Sequence, residues 1–300
     1  MTKQASILVS GATGLIGRAL CKRLETAGET VRRLSRSGGD ATWDPAKGEL
    51  DPAVLDGVQC VVHLAGEPVA QRWTKASKQR ILESRVQSTA LLRARMLEQD
   101  QAPALVCASG INYYGYQCSG EVDETSEPGD GFLARVCREW EGAAEPLLKK
   151  GARTAFIRTG LVLSAHGGAL ARMLPVFKAG GGGRVGAGTQ RMSWIGIDDL
   201  VAVYERAIHD EKLSGPVNAV APAPVTNAEF ARTLAQLLRR PAALPLPAMI
   251  VRALFGEMGR ETLLADLDVR PKRLQELGFE WRNPDLESAL KACLAPPGND

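Results

Sequence analysis

The sequence predicts an α/β protein: a doubly wound parallel sheet with a small, mostly helical C-terminal subdomain on the substrate side. Over the first 240 residues, short apolar runs alternate with longer amphipathic stretches, which is the pattern of right-handed βαβ units. A glycine-rich turn directly follows the first apolar run. The proline-rich stretch PAALPLP at residues 241–247 then precedes shorter helical patterns. We therefore predict two domains, residues 1–240 and residues 241–300.

The individual elements follow from apolar periodicity and from capping residues. The first strand ends at Val9, and the first helix follows the glycine turn with Gly28 as its C-cap. Further strands are predicted at residues 30–35, 59–65, 104–109, 154–163 and 193–197. Helices are predicted at residues 74–99, 131–149 and 199–209, and after the capping box at residues 226–229.

Two stretches are predicted to lack regular structure. A glycine-rich loop is expected over residues 165–190, in which the four glycines at 180–183 form a flexible segment able to act as a lid. Residues 296–300 are expected to fray.

The stretch VSGATGLIG at residues 9–17 is the most informative part of the chain. A strand, a glycine turn and a helix in this order are typical of a Rossmann dinucleotide-binding unit. The first glycine allows the tight turn, the second allows a pyrophosphate to approach the backbone, and the third allows the helix to pack on the sheet. The N–H groups at the helix start and the helix dipole favour phosphate. The predicted cofactor-binding residues here are Gly11, Thr13, Gly14, Leu15, Ile16 and Gly17.

The end of the second strand indicates which nicotinamide cofactor is bound. An acidic residue at this place would bind the ribose hydroxyls of NAD and repel a 2′-phosphate. The chain has Ser35 and Arg36 there, with Arg32 and Arg33 just before, and no carboxylate until Asp40. A hydroxyl and a guanidinium suit a 2′-phosphate, which favours NADP over NAD. The alternative is that these arginines form a solvated basic edge.

The composition excludes several other classes of protein. A net charge of +3, with scattered basic residues and few aromatic residues, predicts neither nucleic acid nor a membrane surface as a partner. The six cysteines form no C-x-x-C pair and the three histidines lie far apart, so no metal site is predicted. Free thiols, and a first strand that leaves no room for a signal peptide, favour a cytoplasmic location.

Several longer motifs extend over nearly the whole chain. They are GATGLIG (residues 11–17), HLAGEPVAQRWT (63–74), ESR (83–85), YYG (113–115), RTGLVLS (158–164), GGALARMLPVFKAGGGG (167–183), SWIGIDDL (193–200) and PKRLQELGFEWRNPDLESAL (271–290). Together they resemble the extended branch of the short-chain dehydrogenase/reductase superfamily. More narrowly, they resemble its atypical NAD(P)-dependent epimerase/dehydratase-like subgroup, an "epimerase family" with a C-terminal domain of unknown function.

The resemblance implies further cofactor contacts. Leu64, Ala65 and Gly66 would lie under the adenosine and pyrophosphate, and Ser109 would lie beneath the nicotinamide ribose. The stretch of Thr159, Gly160 and Leu161 would border the nicotinamide ring. The pattern of elements agrees with this, because each stretch follows a predicted strand, and ligands of doubly wound sheets lie beyond the carboxyl ends of the strands.

The usual catalytic pair of the superfamily is missing. Members of it use Tyr-x-x-x-Lys on a helix, with a serine nearby, and the resemblance places Glu141 four residues after the lysine. The lysine position is then Cys137, which carries no ammonium group, and the tyrosine position is Leu133, which has no proton to give. The usual serine position is Gly110, although Ser109 is adjacent. This departure leaves cofactor binding intact and puts the reaction in doubt.

Other polar residues are candidates to replace the missing pair. Ser109, Tyr113 and Tyr114 are candidate catalytic residues, although either tyrosine is alternatively a packing residue. Candidates for the substrate side are Glu67, Arg72 and Lys178, each of which is alternatively a solvated residue, or in the case of Glu67 a helix cap.

Two functional hypotheses therefore stand. In the first hypothesis, the chain is an NADP-dependent oxidoreductase or epimerase of atypical type that acts on an unknown small molecule. Alternatively, it is a catalytically silent NADP(H)-binding sensor or regulatory protein. We expect a monomer or a homodimer, with the helix at residues 74–99 as a candidate dimer element.

Overall fold

The computed structural model of the protein describes residues 5–295; the predicted frayed end at residues 296–300 lies outside them. Its strands, numbered along the chain, are β1 (Ser6–Ser10), β2 (Thr30–Ser35), β3 (Ala41–Asp44), β4 (Glu49–Leu50), β5 (Val58–His63), β6 (Ala104–Gly110), β7 (Gln117–Val122), β8 (Thr154–Thr159), β9 (Leu161–Leu163), β10 (Arg191–Met192), β11 (Trp194–Gly196), β12 (Gly215–Ala219), β13 (Val225–Thr226) and β14 (Asp266–Val269).

The helices are numbered in the same way. They are α1 (Leu15–Thr26), α2 (Lys75–Leu97), α3 (Phe132–Lys149), α4 (Gly168–Lys178), α5 (Ile197–His209), α6 (Asn227–Leu237), α7 (Ala248–Glu261), α8 (Lys272–Glu276) and α9 (Leu286–Leu294). Short 3-10 turns cover Pro52–Leu55 and Ile111–Tyr114. No helix in the described part of the chain is both long enough and apolar enough to cross a membrane.

The main sheet has the strand order β12-β8-β6-β5-β1-β2-β3-β4. Strand β1 pairs in parallel with β2 and β5, and β5 pairs in parallel with β6. Within this sheet the β3–β4 ribbon at the edge is antiparallel. The predicted α/β fold with a Rossmann-like parallel sheet is confirmed. The parallel pairing brings the carboxyl ends of β1, β2, β5 and β6 to one edge.

The chain divides into two compact units. The first comprises the chain up to Gly110 with Arg135–Arg158 and Val201–Val217, and the second comprises Ile111–Ala134, Thr159–Leu200 and the chain from Asn218 onward. Both units are therefore discontinuous in sequence. They do not coincide with the two ranges predicted above, because the segments that follow β6 and β8 group with the C-terminal residues.

The core of the first unit surrounds a buried histidine. Nδ1 of His63 lies 2.6 Å from Ser10 Oγ, and Nε2 lies 2.9 Å from Ser88 Oγ. The rings of Trp43 and Trp140 meet its imidazole edge-on, with ring centroids 5.9 Å and 6.1 Å away. Burial, helped by the nearby Arg85 guanidinium, lowers the pKa of His63 to about 3.

The buried imidazole predicts a pH dependence of stability. An unfolded histidine has a pKa of about 6.5, so between about pH 6.5 and pH 3 the unfolded chain holds a proton that the folded chain does not. The free energy of unfolding should therefore fall as the pH falls through this window, by about 1.4 kcal/mol per pH unit from His63. Urea unfolding at a series of pH values measures this. His63→Gln should show a shallower decline, and identical slopes for the two proteins would contradict the assignment.

The second unit differs from the prediction in two places. The expected loop at residues 165–190 contains the helix α4, which packs with α6 and α9 around Trp194 and Phe230. The C-terminal region is mostly helical as predicted, but it also contributes the strand β14, which pairs in parallel with β7. Both strands are short and polar, so apolar periodicity does not reveal them.

Candidate nucleotide site

The glycine turn has the geometry that the sequence predicts. Gly11 adopts a φ of +72°, and a Cβ there would lie 2.7 Å from the Leu64 carbonyl carbon. A Cβ at Gly17 would lie 2.3 Å from the Gly11 oxygen. Both positions therefore require glycine, since the turn packs directly against the backbone that follows β5 and against the start of α1.

The start of α1 is open. Gly14 is its N-cap, with no side chain bonded to the free N–H groups and no acidic residue in the first turn. Thr13 and Gly14 are exposed, while Leu15 and Ile16 are half-buried. Exposed amide donors at an uncapped helix start are well suited to phosphate.

Four arginines lie near the end of β2, and the structure separates their roles. The Arg33 guanidinium is ion-paired with Glu25 and lies 3.8 Å from Asp40, and Arg32 Nη1 donates to the Asp56 carbonyl oxygen at 3.3 Å. Arg36 is exposed and forms no ion pair in the part of the chain that the structure describes. Arg18 on α1 is also exposed.

Arg18 is a residue that sequence reasoning missed. Its Nη1 donates to the Thr13 carbonyl oxygen at 2.6 Å, which holds the guanidinium beside the glycine turn. The hydroxyl of Ser35 donates to the Ser37 carbonyl oxygen at 2.7 Å. The guanidinium groups of Arg36 and Arg18 are therefore the ones left available to a ligand at this edge.

Arg85 on α2 fixes the backbone of the turn after β5. Its Nη1 donates to the carbonyl oxygens of Glu67 and Ile81, each at 2.9 Å, and its guanidinium lies 5.0 Å from the centre of the Trp140 ring. A Cβ at Gly66 would lie 3.0 Å from the Arg85 guanidinium carbon. Burial lowers the pKa of Arg85. The end of the stretch Leu64, Ala65 and Gly66 therefore packs against the guanidinium group of Arg85.

The loop after Gly66 carries two substrate-side candidates. Glu67 accepts a hydrogen bond from Gln71 Nε2 at 3.2 Å and lies 3.7 Å from Arg80. Trp73 Nε1 donates to the Val69 carbonyl oxygen at 2.9 Å, so the loop is folded on itself. Arg72 is exposed on this loop. Glu67 has polar neighbours of its own, whereas Arg72 is presented to solvent.

Ser109 belongs to a buried charged cluster. Its hydroxyl donates to Glu141 Oε1 at 2.6 Å, and Arg158 binds both oxygens of the same carboxylate, at 2.9 Å and 2.8 Å. All three residues are buried. The Glu141 carboxylate is therefore bound by both Ser109 and Arg158, and the Ser109 hydroxyl is held in this buried cluster.

The positions of the missing catalytic pair are closed to solvent. Leu133 and Cys137 are both buried. Burial raises the pKa of the Cys137 thiol to about 11, so it does not supply a thiolate at neutral pH. Neither side chain replaces the tyrosine or the lysine.

Tyr113 and Tyr114 differ sharply in their surroundings. Tyr114 is 3% exposed, and its hydroxyl donates to Asn218 Oδ1 at 2.8 Å. The main-chain N–H of Asn218 donates to Glu124 at 2.9 Å, and burial raises the pKa of Glu124. The phenol of Tyr114 is therefore held in a buried hydrogen bond, the packing alternative that the sequence left open. Tyr113 is half-buried and meets the Tyr114 ring edge-on, with centroids 5.4 Å apart.

The residues after β8 are fixed by backbone contacts within the second unit. Gly160 N–H donates to the Ala219 carbonyl oxygen at 3.1 Å, and Leu161 N–H donates to the Ser193 carbonyl oxygen at 2.9 Å. Thr159 and Leu161 remain half-buried. Lys178 is exposed at the end of α4, with its ammonium free to meet a soluble anion.

A second contact that the sequence does not reveal is made by Glu261 at the end of α7. This carboxylate is 1% exposed and accepts the main-chain N–H groups of Phe132 at 3.0 Å and Leu133 at 2.9 Å. It therefore caps the start of α3 from 128 residues away. Asn112 Nδ2 also donates to the Glu261 carbonyl oxygen at 3.2 Å. No local spacing signals such a cap.

No cluster of three or more His, Cys, Asp or Glu side chains able to hold a metal occurs among residues 5–295. The geometry offers the uncapped start of α1, the exposed guanidinium groups of Arg18 and Arg36, and the carboxyl ends of the parallel strands.

Two family models match the chain. One, described as the NAD dependent epimerase/dehydratase family, matches residues 7–219, and the other, a domain of unknown function (DUF1731), matches residues 246–293. The chain belongs to the NAD dependent epimerase/dehydratase family. The family predicted from the motifs is confirmed, and so is its C-terminal domain of unknown function.

Two similar proteins resemble this epimerase/dehydratase protein over nearly their whole length. An epimerase family protein of Mycobacterium bovis is 42% identical over 299 residues, covering 98% of this chain and 99% of the relative. The crystal structure of human epimerase family protein SDR39U1 (isoform 2) with NADPH is 36% identical. Its TM-score is 0.88, over 96% of this chain and 98% of that one.

A third similar structure is the nucleoside-diphosphate sugar epimerase from Corynebacterium glutamicum. It is 37% identical with a TM-score of 0.80, and the match covers 96% of this chain and 58% of that chain.

Proposed function

We propose that the chain binds NADPH at the glycine turn and is an atypical oxidoreductase or epimerase acting on a small molecule. The observation that carries the proposal is the end of β2, where Arg36 is exposed and Arg33 is paired with Glu25, and where the first carboxylate after this strand, Asp40, is bound to the main-chain N–H of Arg33 at 2.8 Å. The human relative crystallised with NADPH supports the same choice of cofactor.

Each part of the turn has a distinct role in this proposal. The open start of α1 holds the pyrophosphate through its N–H groups. Arg36 and Ser35, together with Arg18, hold the 2′-phosphate through charge-assisted hydrogen bonds. When bound, NADPH supplies a hydride; the chain contributes binding, orientation and exclusion of water.

The remaining contacts follow the strand ends. Leu64, Ala65 and Gly66 support the adenosine side, Ser109 the nicotinamide ribose, and Thr159, Gly160 and Leu161 the ring. Tyr113 is our candidate for holding a proton at its phenol oxygen. Arg72, Lys178 and Glu67 are candidates for orienting a polar or anionic substrate.

A second candidate function is binding of NADP(H) without turnover, as a sensor or regulatory protein. The observation that favours it is the closed Ser109–Glu141–Arg158 cluster together with the buried Leu133 and Cys137, since these positions offer no group that exchanges a proton. Two screens together separate the two functions: carbonyl compounds are tested for NADPH consumption, which detects an oxidoreductase, and nucleotide sugars are tested for conversion to an epimer, which consumes no net NADPH.

Arg36→Ala is expected to weaken NADPH binding selectively. Loss of hydrogen bonds to a charged phosphate costs about 1.5–3 kcal/mol, which corresponds to about a tenfold to hundredfold rise in the dissociation constant. NADH lacks the 2′-phosphate, so its affinity should change by no more than about twofold. Titration calorimetry with both nucleotides measures the difference.

The matched control is Arg33→Ala, which removes the same charge from a guanidinium already paired with Glu25. It should weaken NADPH binding much less than Arg36→Ala does. Equal losses for NADPH and NADH in Arg36→Ala would disprove the 2′-phosphate assignment. Absence of binding of either nucleotide to the unmodified protein would overturn the proposed function itself.

A further inference from the structure

The C-terminal segment presents an unusual number of apolar side chains to solvent. Of the eight large apolar side chains that are exposed in the described chain, six lie between Leu244 and Leu263. Met249 is 79% exposed, Leu254 is 69% exposed and Leu244 is 62% exposed. Contiguous apolar patches of this kind on a protein surface mark a place of interaction.

Helix α7 orients these side chains. Val251 is fully buried and packs α7 against the protein, while Ile250 and Leu254, four residues apart, share one exposed side of the helix and Met249 is exposed at its first turn. Pro247 precedes the helix, and Gly256 interrupts it with a φ of +55°. The buried inner face holds the apolar outer face toward solvent.

The segment before α7 is fixed to the glycine run at residues 180–183. A Cβ at Gly183 would lie 2.1 Å from the Leu244 carbonyl oxygen, so glycine is required for this close approach. The N–H of Leu246 donates to the Arg184 carbonyl oxygen at 2.9 Å, and the N–H of Gly186 donates back to Leu246 at 2.8 Å. The predicted flexible lid is therefore wrong: the glycine run is a packed support for the exposed apolar segment.

The same surface is strongly basic. From residue 230 to residue 256 the sequence contains four arginines, Arg232, Arg239, Arg240 and Arg252, and no aspartate or glutamate. All four are exposed. Folding adds Arg184, which with Arg232 lines a cavity of about 330 Å³ whose other walls are alanine and proline side chains of α6 and residues 242–245. Arg184 and Arg232 therefore lie beside the segment at residues 242–245, and Arg252 lies on α7 itself.

We propose that this surface, defined by Leu244, the outer face of α7 and the arginines around the cavity, docks on an anionic lipid membrane surface. An apolar helix face flanked by arginines is the arrangement that lies in the interface of an anionic bilayer, with its apolar side chains among the acyl chains. The cavity lined by Arg184 and Arg232 accepts a lipid phosphate. A second copy of this chain fits less well, because a two-fold contact would bring two such arginine-rich segments together.

The test is co-sedimentation of the full chain with vesicles. Vesicles of phosphatidylcholine with added phosphatidylglycerol should bind the protein, and phosphatidylcholine alone should not. Met249→Ser combined with Leu254→Ser should abolish binding. Arg184→Ala combined with Arg232→Ala should weaken it by about fivefold for each arginine, and added salt should weaken it further.

Leu97→Ser is the matched control, since Leu97 is an exposed apolar residue at the end of α2; it should leave vesicle binding unchanged. All variants alter exposed side chains, and a thermal melt verifies that they fold. Failure to bind anionic vesicles at low salt overturns the proposal, as does equal binding to neutral vesicles. A concentration-dependent dimer that the serine pair abolishes would assign the surface to a second copy instead and equally overturn it.

Discussion

Glu141→Leu is expected to destabilise the protein by about 3–5 kcal/mol, the usual cost of breaking a buried ion pair. The substitution keeps a side chain of similar size but leaves the Arg158 guanidinium buried without a counter-charge. Arginine does not lose its proton in a protein, so the charge cannot be relieved by titration. Ser109 also loses its hydrogen-bond acceptor. Urea unfolding at neutral pH measures the change.

Two further variants isolate the cause. Glu145→Leu removes a carboxylate from the same helix, where it forms an exposed pair with Lys149, and should cost less than about 1 kcal/mol. Combining Glu141→Leu with Arg158→Met removes both charges and should recover most of the lost stability. If the double variant is no more stable than Glu141→Leu alone, the cost comes from packing and not from the stranded charge.

Gly14→Val is expected to remove binding of NADPH and NADH alike. Gly14 adopts an extended backbone with φ −72° and ψ 173°, which valine also adopts, and a Cβ there would lie 3.2 Å from the Gly11 oxygen, so the fold should survive with a small shift of the turn. The added side chain fills the approach to the N–H groups at the start of α1. Losing several hydrogen bonds to the pyrophosphate should raise both dissociation constants by at least about a hundredfold.

Calorimetric titration with each nucleotide, together with a thermal melt, checks this expectation. Gly142→Val is a suitable control, because Gly142 is exposed on α3 with no atom within 4 Å of its Cβ position. It should bind both nucleotides normally. Retained binding in Gly14→Val, with its fold intact, would mean that the pyrophosphate does not lie against this turn.

The parts of the fold that local chemistry determines were predictable from the sequence. The strand predicted at residues 30–35 coincides with β2. Residues 104–109 fall within β6 because buried parallel strands are continuous apolar runs. The glycine turn was predictable since a positive φ at Gly11 and a close contact at Gly17 each demand the one residue type without a Cβ.

The parts that tertiary contacts determine were not predictable. Arg33 and Arg36 look alike in the sequence, and only the folded chain shows that Glu25 is paired with the first of them. Tyr114 carries the same phenol as Tyr113, yet its hydroxyl is bound by an asparagine 104 residues away. The glycine run at 180–183 suggested mobility. In the structure a glycine is needed at position 183 because the backbone of Leu244 approaches it closely, and Leu244 is remote in sequence.

The cap that Glu261 places on α3 limits how this chain can be divided or recombined. The two amide groups it satisfies belong to residues inside the segment matched by the epimerase/dehydratase model, whereas Glu261 lies inside the segment matched by the second model. A chimera joined at the border between the models keeps this cap only if the parent of the second segment supplies a carboxylate at position 261 and the parent of the first supplies a start of α3 that receives it. Evolution is thus expected to exchange these two segments as a single inherited piece and not as separate modules.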